Sequence, residues 1–104
     1  MQFDVYENEN PASRQRFPYL LDVQAELLDS LGTRVIIPLV AREKAESLIV
    51  GRLMPVLTLD NRDYVAFTPQ LAGVGKSHLG ARVGNLSEAR ADIIAAIDLL
   101  ITGV

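Results

Sequence analysis

Val35-Ile36-Ile37-Pro38-Leu39 is the stretch on which the fold of this chain turns. Consecutive β-branched side chains favour a pleated strand, and a proline near its end removes a ladder donor, which predicts a bulge or an unpaired edge there. The flanking pattern is also extended. Phe3 and Val5 alternate with Gln2, Asp4 and Tyr6, the period of a half-buried strand. Phe17 to Gln24 predicts a second strand, with Pro18 marking an edge or a bulge. Between them, Glu7 to Arg16 is charged or small and holds Pro11, so an exposed loop or wide turn is expected. Downstream, Ala41 to Gly51 is mixed, a loop or a short helical turn. Leu53 to Leu59 and Tyr64 to Thr68 then flank the polar loop Asp60-Asn61-Arg62-Asp63 and predict a hairpin.

The end of the chain changes period. Leu86, Ile93, Ile97, Leu100, Ile101 and Val104 fall on one face of an α-helix, which is expected to pack on the sheet. Ser87 is the expected N-cap, with Arg90 where a capping box would have glutamate, and Gly103 suits the left-handed closing residue. Leu27 and Leu28 form an apolar pair before the Ser30-Leu31-Gly32 turn. At least one is expected in the core; if the backbone is extended there, the other is an exposed apolar contact.

Size and composition restrict function. At 104 residues and 49% hydrophobic content, a single domain spanning 1–104 can bury roughly two thirds of its unfolded surface without metals or disulfides. The chain has no cysteine, which removes thiolate metal sites and a cysteine nucleophile and fits a cytoplasmic address. No signal peptide or membrane span is legible. A net charge of −3, with scattered basic residues, argues against direct nucleic-acid binding and favours a protein partner.

Catalytic patterns are missing. Gly75-Lys76-Ser77 resembles the end of a phosphate loop, but Gln70 stands where that loop needs its first glycine. The glycines between Gln70 and Gly84 are instead expected at bends and close backbone approaches. His78 is the sole histidine, without carboxylates spaced for a metal site, and no serine lies in a nucleophile elbow. Neither an enzyme nor a cofactor is expected.

Several segments recur together: MQF-VY at the start, LDVQ-x-x-LLD, R-x-IIPL, L-PV, and AIDLL-x-x-G-V at the end. In order and at matching spacing over nearly the whole chain, they resemble the CcdB family of plasmid- and chromosome-borne addiction toxins. The resemblance implies a mainly β protein with a C-terminal α-helix, an SH3-like antiparallel β-barrel assembled as a homodimer. It also implies a type II toxin that binds the DNA gyrase A subunit, traps the enzyme on cleaved DNA and is neutralised by a CcdA-type antitoxin. Plasmid maintenance and transcriptional autoregulation follow, with DNA reached only through the antitoxin complex. By the same resemblance, Thr102, Gly103 and Val104 contact gyrase with Asp98, Phe3, Leu27 and Leu28 nearby. Asn8, Arg14, Glu43, Glu46 and Leu48 contact the antitoxin.

The chain departs from the family pattern at three places. Thr102 stands where an aromatic residue is familiar, Asp98 replaces an amide, and Gly75-Lys76 replaces an apolar, proline-containing stretch used for dimer contact. Two alternatives stay open. A MazF-like ribonuclease toxin would need a basic groove and an acid/base pair, against the acidic balance. A non-toxic relative that only binds antitoxin would accommodate Thr102.

Overall fold

The computed structural model describes residues 1–45 and 51–104. Among the described residues, seven strands form one antiparallel sheet: β1 (Asp4–Asn8), β2 (Tyr19–Asp22), β3 (Thr33–Ala41), β4 (Val56–Leu59), β5 (Arg62–Ala66), β6 (Ala72–Gly75) and β7 (Leu79–Asn85). The short helix α1 (Arg42–Ala45) follows β3, and α2 (Arg90–Thr102) ends the chain. Strand order is β4-β5-β3-β2-β1-β7, with β6 pairing β3 beside β5. The sheet curls into a half-barrel, and the Leu59 side chain of β4 lies so close to Gly84 of β7 that a Cβ there would meet it at 2.6 Å. Gly80 makes a similar approach to Glu7, at 3.0 Å, so glycines do serve close approach here.

The strand centred on Val35 to Leu39 is the middle of the sheet, and Pro38 is neither at an edge nor at a bulge. Val23 N–H donates to the Val35 carbonyl at 2.9 Å, so Val35, Ile37 and Leu39 direct their backbone groups at β2. Ile36, Pro38 and Val40 face the other way. There β3 changes partner, from β6 along Thr33 to Ile36 to β5 along Leu39 to Ala41. Pro38 sits at that seam, where its missing N–H has least to lose, and its carbonyl still accepts from Phe67 N–H at 2.9 Å.

The two sheet faces differ. Val5, Leu21, Ile37 and Leu39 point to one side and, with Phe3, Leu57, Leu59, Leu86 and Ile93, make the main core. The opposite face carries Asp4, Tyr6, Asp22 and Arg34, then Leu20, Ile36 and Pro38, then a smaller cluster of Phe17, Val40, Ala45, Met54 and Val65.

Several expectations are corrected. The second strand is only Tyr19–Asp22, since Gln24 turns its amide to the Leu28 carbonyl. Leu27 and Leu28 lie in a 3-10 turn (Glu26–Leu28), and both are exposed rather than core, Leu27 at 91%. The hairpin turn is two residues, Asp60-Asn61, both at positive φ, with Arg62 and Asp63 already in β5. Ser87 does not cap α2; it begins a 3-10 turn whose first N–H is held by Asn85 Oδ1 at 2.8 Å. The apolar stripe packs only over its first part. Ile93 and Ala96 are fully buried, whereas Ile101 is 70% and Val104 81% exposed. Gly103 does close the helix, at φ +78°, donating to the Leu99 carbonyl at 3.1 Å.

Candidate functional site

Three regions carry surface chemistry. The first is the bare end of α2. Leu100, Ile101 and Val104 are exposed around the left-handed Gly103, and the Thr102 hydroxyl donates back to the Asp98 carbonyl at 2.7 Å, which fixes the last turn. Asp98 itself is exposed. The arrangement is an exposed apolar knob with the Asp98 carboxylate one turn earlier on the same helix.

The second is the exposed 3-10 turn with Leu27, Leu28 and Leu31. Glu26 accepts from Gln2 N–H at 3.0 Å, and Gln2 in turn accepts from Arg90 at 3.4 Å, so this turn is tied to the beginning of α2. Thr102 is about 18 Å further along the helix axis. The apolar groups expected in one patch therefore sit toward opposite ends of α2 within a chain. Phe3 joins neither: it is buried in the main core, at φ +69°, with Arg90 stacked 5.5 Å from its ring.

The third lies on the polar face of the sheet. A cavity of about 460 Å³ opens over Phe17, Leu20, Ile36 and Pro38. Asn8, Asn10 and Ser13 form one wall, Gln70 and His78 rise opposite, and β6 borders it. Asn8 is spent inward. Its amide donates to Ser13 Oγ at 3.0 Å and to the Phe17 carbonyl at 2.8 Å, and its oxygen accepts from Asn10 N–H. It shapes the loop rather than offering a free contact. Arg14 is exposed on the other side of the same loop, in a shallow groove with Glu7, Glu9 and Tyr19. Glu43 lies apart from both, in a charged groove with Arg42, Arg62 and Asp63, 3.7 Å from Arg62. Glu46 and Leu48 lie outside the described residues.

One constellation had no counterpart in the sequence reading. Arg34, buried in β3, donates from Nε to Asp22 Oδ2 at 2.9 Å and from Nη1 to Asp29 Oδ1 at 2.5 Å. Its Nη2 lies 2.7 Å from Asp22 Oδ2 but is not aligned to bond it. Burial opposes the charge, yet the two carboxylates raise the Arg34 pKa above its usual value. Next to it, burial would raise the Asp4 carboxyl. Asn85 and Arg82, each at 2.9 Å, outweigh burial and hold it below its ordinary value. Burial, then Asp4 and Asp22, push the Tyr6 phenol up, so it stays a neutral donor. Both charges of the Asp22–Arg34 pair are matched, so the network is a structural clamp. The one available signal was opposite charges at interior positions of paired strands.

Among the described residues no group of three or more His, Cys, Asp or Glu side chains is placed to hold a metal ion. No helix there is long and apolar enough to cross a membrane.

The fold has known counterparts. A mycobacterial endoribonuclease in complex with its cognate antitoxin is similar over 98% of this chain and 94% of its own, with a TM-score of 0.77 at 15% identity. The Mycobacterium tuberculosis toxin MazF-mt6 is similar over 95% of this chain and 96% of its own, at 0.72 and 12% identity. At such identities the likeness is one of fold. The sequence itself goes further, because the model of the CcdB protein family matches residues 2–103, covering the curled sheet, the 3-10 turn and the glycine that closes α2: this chain belongs to the CcdB family.

Proposed function

We propose that this chain is the toxin of a type II toxin–antitoxin module, acting as a homodimer that binds the DNA gyrase A subunit and traps gyrase on cleaved DNA. The observation that carries this is the exposed apolar end of α2, Leu100, Ile101 and Val104 around Gly103, which closes the helix. A knob of this kind acts by wedging, and no catalytic group is required of it. The half-barrel is one protomer's SH3-like unit. A two-fold partner that sets its Leu27 and Leu28 beside the first protomer's Thr102–Val104 joins into one surface what a single chain holds apart. Each surface occurs twice, which suits a two-armed target such as gyrase in the cytoplasm. The antitoxin is of the CcdA type, and family membership together with a like fold seen in complex with an antitoxin supports such a partner.

The test is growth arrest on expression, relieved by a gyrase A substitution. Arrest with RNA decay and undamaged DNA would instead favour the ribonuclease reading, whose support is the fold shared with endoribonucleases. Absence of arrest with antitoxin binding intact would favour the non-toxic relative, whose support is Thr102 at the knob.

A further inference from the structure

Every residue from Ala25 to Thr33 is exposed within the chain, and none belongs to either hydrophobic cluster. Apolar burial therefore does not hold the turn that carries Leu27 and Leu28. The turn is held by the two residues that bracket this loop, Gln24 and Arg34, which are polar and yet only 6% and 2% exposed. Burying such groups is unfavourable unless they are bonded, so their bonds show what their burial secures.

Gln24 Nε2 donates to the Leu28 carbonyl at 2.9 Å, and its Oε1 accepts from Val35 N–H in β3 at 3.1 Å. Arg34 Nη1 donates to the carboxylate of Asp29, the residue that closes the turn with its own N–H on the Glu26 carbonyl. Asp22 aims both side chains: its Oδ1 accepts from Gln24 N–H at 3.0 Å and its Oδ2 from Arg34 Nε at 2.9 Å. One fully buried carboxylate thus sets two groups that grip the turn at consecutive residues, Leu28 and Asp29. Two other ties, Gln2 N–H to Glu26 and Lys76 Nζ to the Asp29 carbonyl, are exposed to water and weaker for it. Fixing a backbone costs conformational entropy, and a loop fixed before its partner arrives does not incur that cost on binding.

We propose that Gln24 and Arg34 are positioning residues that hold the Leu27–Leu28 turn ready-formed for a protein partner, through the Leu28 carbonyl and the Asp29 carboxylate. Resting on the toxin reading, that partner is the gyrase A subunit. Both residues act from inside the chain, so their role does not depend on which surface a second copy covers.

The experiment compares the intact protein with two variants. Asp29→Ala, at a side chain 63% exposed, frees the turn from Arg34. Gln24→Glu withdraws the N–H from the Leu28 carbonyl and keeps an oxygen for Val35 N–H. Amide hydrogen exchange by NMR reads the turn, and binding to purified gyrase A subunit reads its use. The expected result in both variants is exchange at least tenfold faster at Leu28, Asp29 and Leu31, with Ile37 and Leu39 unchanged, and gyrase A affinity lowered at least fivefold. Asp29→Asn, which keeps an oxygen for Arg34, should restore most of both. A merely structural role predicts a loss that adds to that of the Leu27→Ser, Leu28→Ser double variant, whereas positioning predicts no further loss in that background. Unchanged exchange at the turn, exchange that rises equally in β2 and β3 in both variants, affinity unmoved by a loosened turn, or additive losses would overturn the proposal. A turn that loosens as expected in a protein that does not bind gyrase A supports the positioning and rejects gyrase as the partner. Gyrase A binding that both variants leave intact rejects the positioning alone.

Discussion

The two ends of α2 are made of similar residues and live in different surroundings. At the start, Ile93 and Ala96 are sealed in the core and Arg90 covers the Phe3 ring. At the end, Leu100, Ile101 and Val104 stand in solvent, and the Thr102 hydroxyl and the Gly103 N–H add their bonds to the last helical turn. Periodicity describes both ends alike, because it reports which residues share a face and not how far the neighbouring layer extends. The anchored end supplies stability. The bare end is free for a partner, and substitutions should separate the two.

The largest effect on folding is expected at the anchored end. Ile93→Ala removes a fully buried side chain and should cost about 2 to 5 kcal/mol, read as a lowered midpoint in urea with unchanged slope. At the bare end the order reverses. Gly103→Glu forces a side chain into the left-handed region, costing about 1 kcal/mol by the same denaturation measurement, but it should abolish growth arrest. Arrest at the unsubstituted level would remove the terminus from the mechanism. Thr102→Trp should leave stability within about 0.5 kcal/mol and strengthen gyrase trapping at least tenfold, because an aromatic anchor in an interface is worth about 2 kcal/mol or more.

A smaller effect concerns acid. Asp4 orients Asn85, and Asn85 holds the turn that leads into α2, so protonating Asp4 loosens the anchored end. Its folded pKa is depressed, so its contribution is fully present above the ordinary value of 3.8 and is lost as pH falls through the folded value. Asp4→Asn should therefore flatten the acid limb of the stability curve and leave it unchanged near neutrality apart from a constant offset.

The parts legible in sequence were those with a strong local pattern: the β-branched run of β3, the hairpin of β4 and β5, the helix and its closing glycine. Pro38 misled because a proline is tolerated inside a sheet where one strand changes partners, a condition set by β5 and β6 and not by the neighbours of Pro38. Asp22 and Arg34 were passed over because each reads alone as a polar strand position. Only the pairing of β2 with β3 makes them a buried couple, and breaking it should cost about 3 to 5 kcal/mol. Of the candidate site, the exposed terminus and the Leu27-Leu28 pair are where contacts can be made. Phe3 and Asn8 turned inward, since burial of one residue depends on strands and loops far from it in sequence.

On the proposed reading, the end of α2 poisons gyrase without chemistry of its own. Its most direct measurement is the formation of gyrase cleavage complexes with purified protein, supercoiled DNA and ATP, scored as trapped double-strand breaks. Trapped breaks are expected with this chain and none with Gly103→Glu. No trapped breaks from a folded dimer of the unsubstituted protein would contradict it.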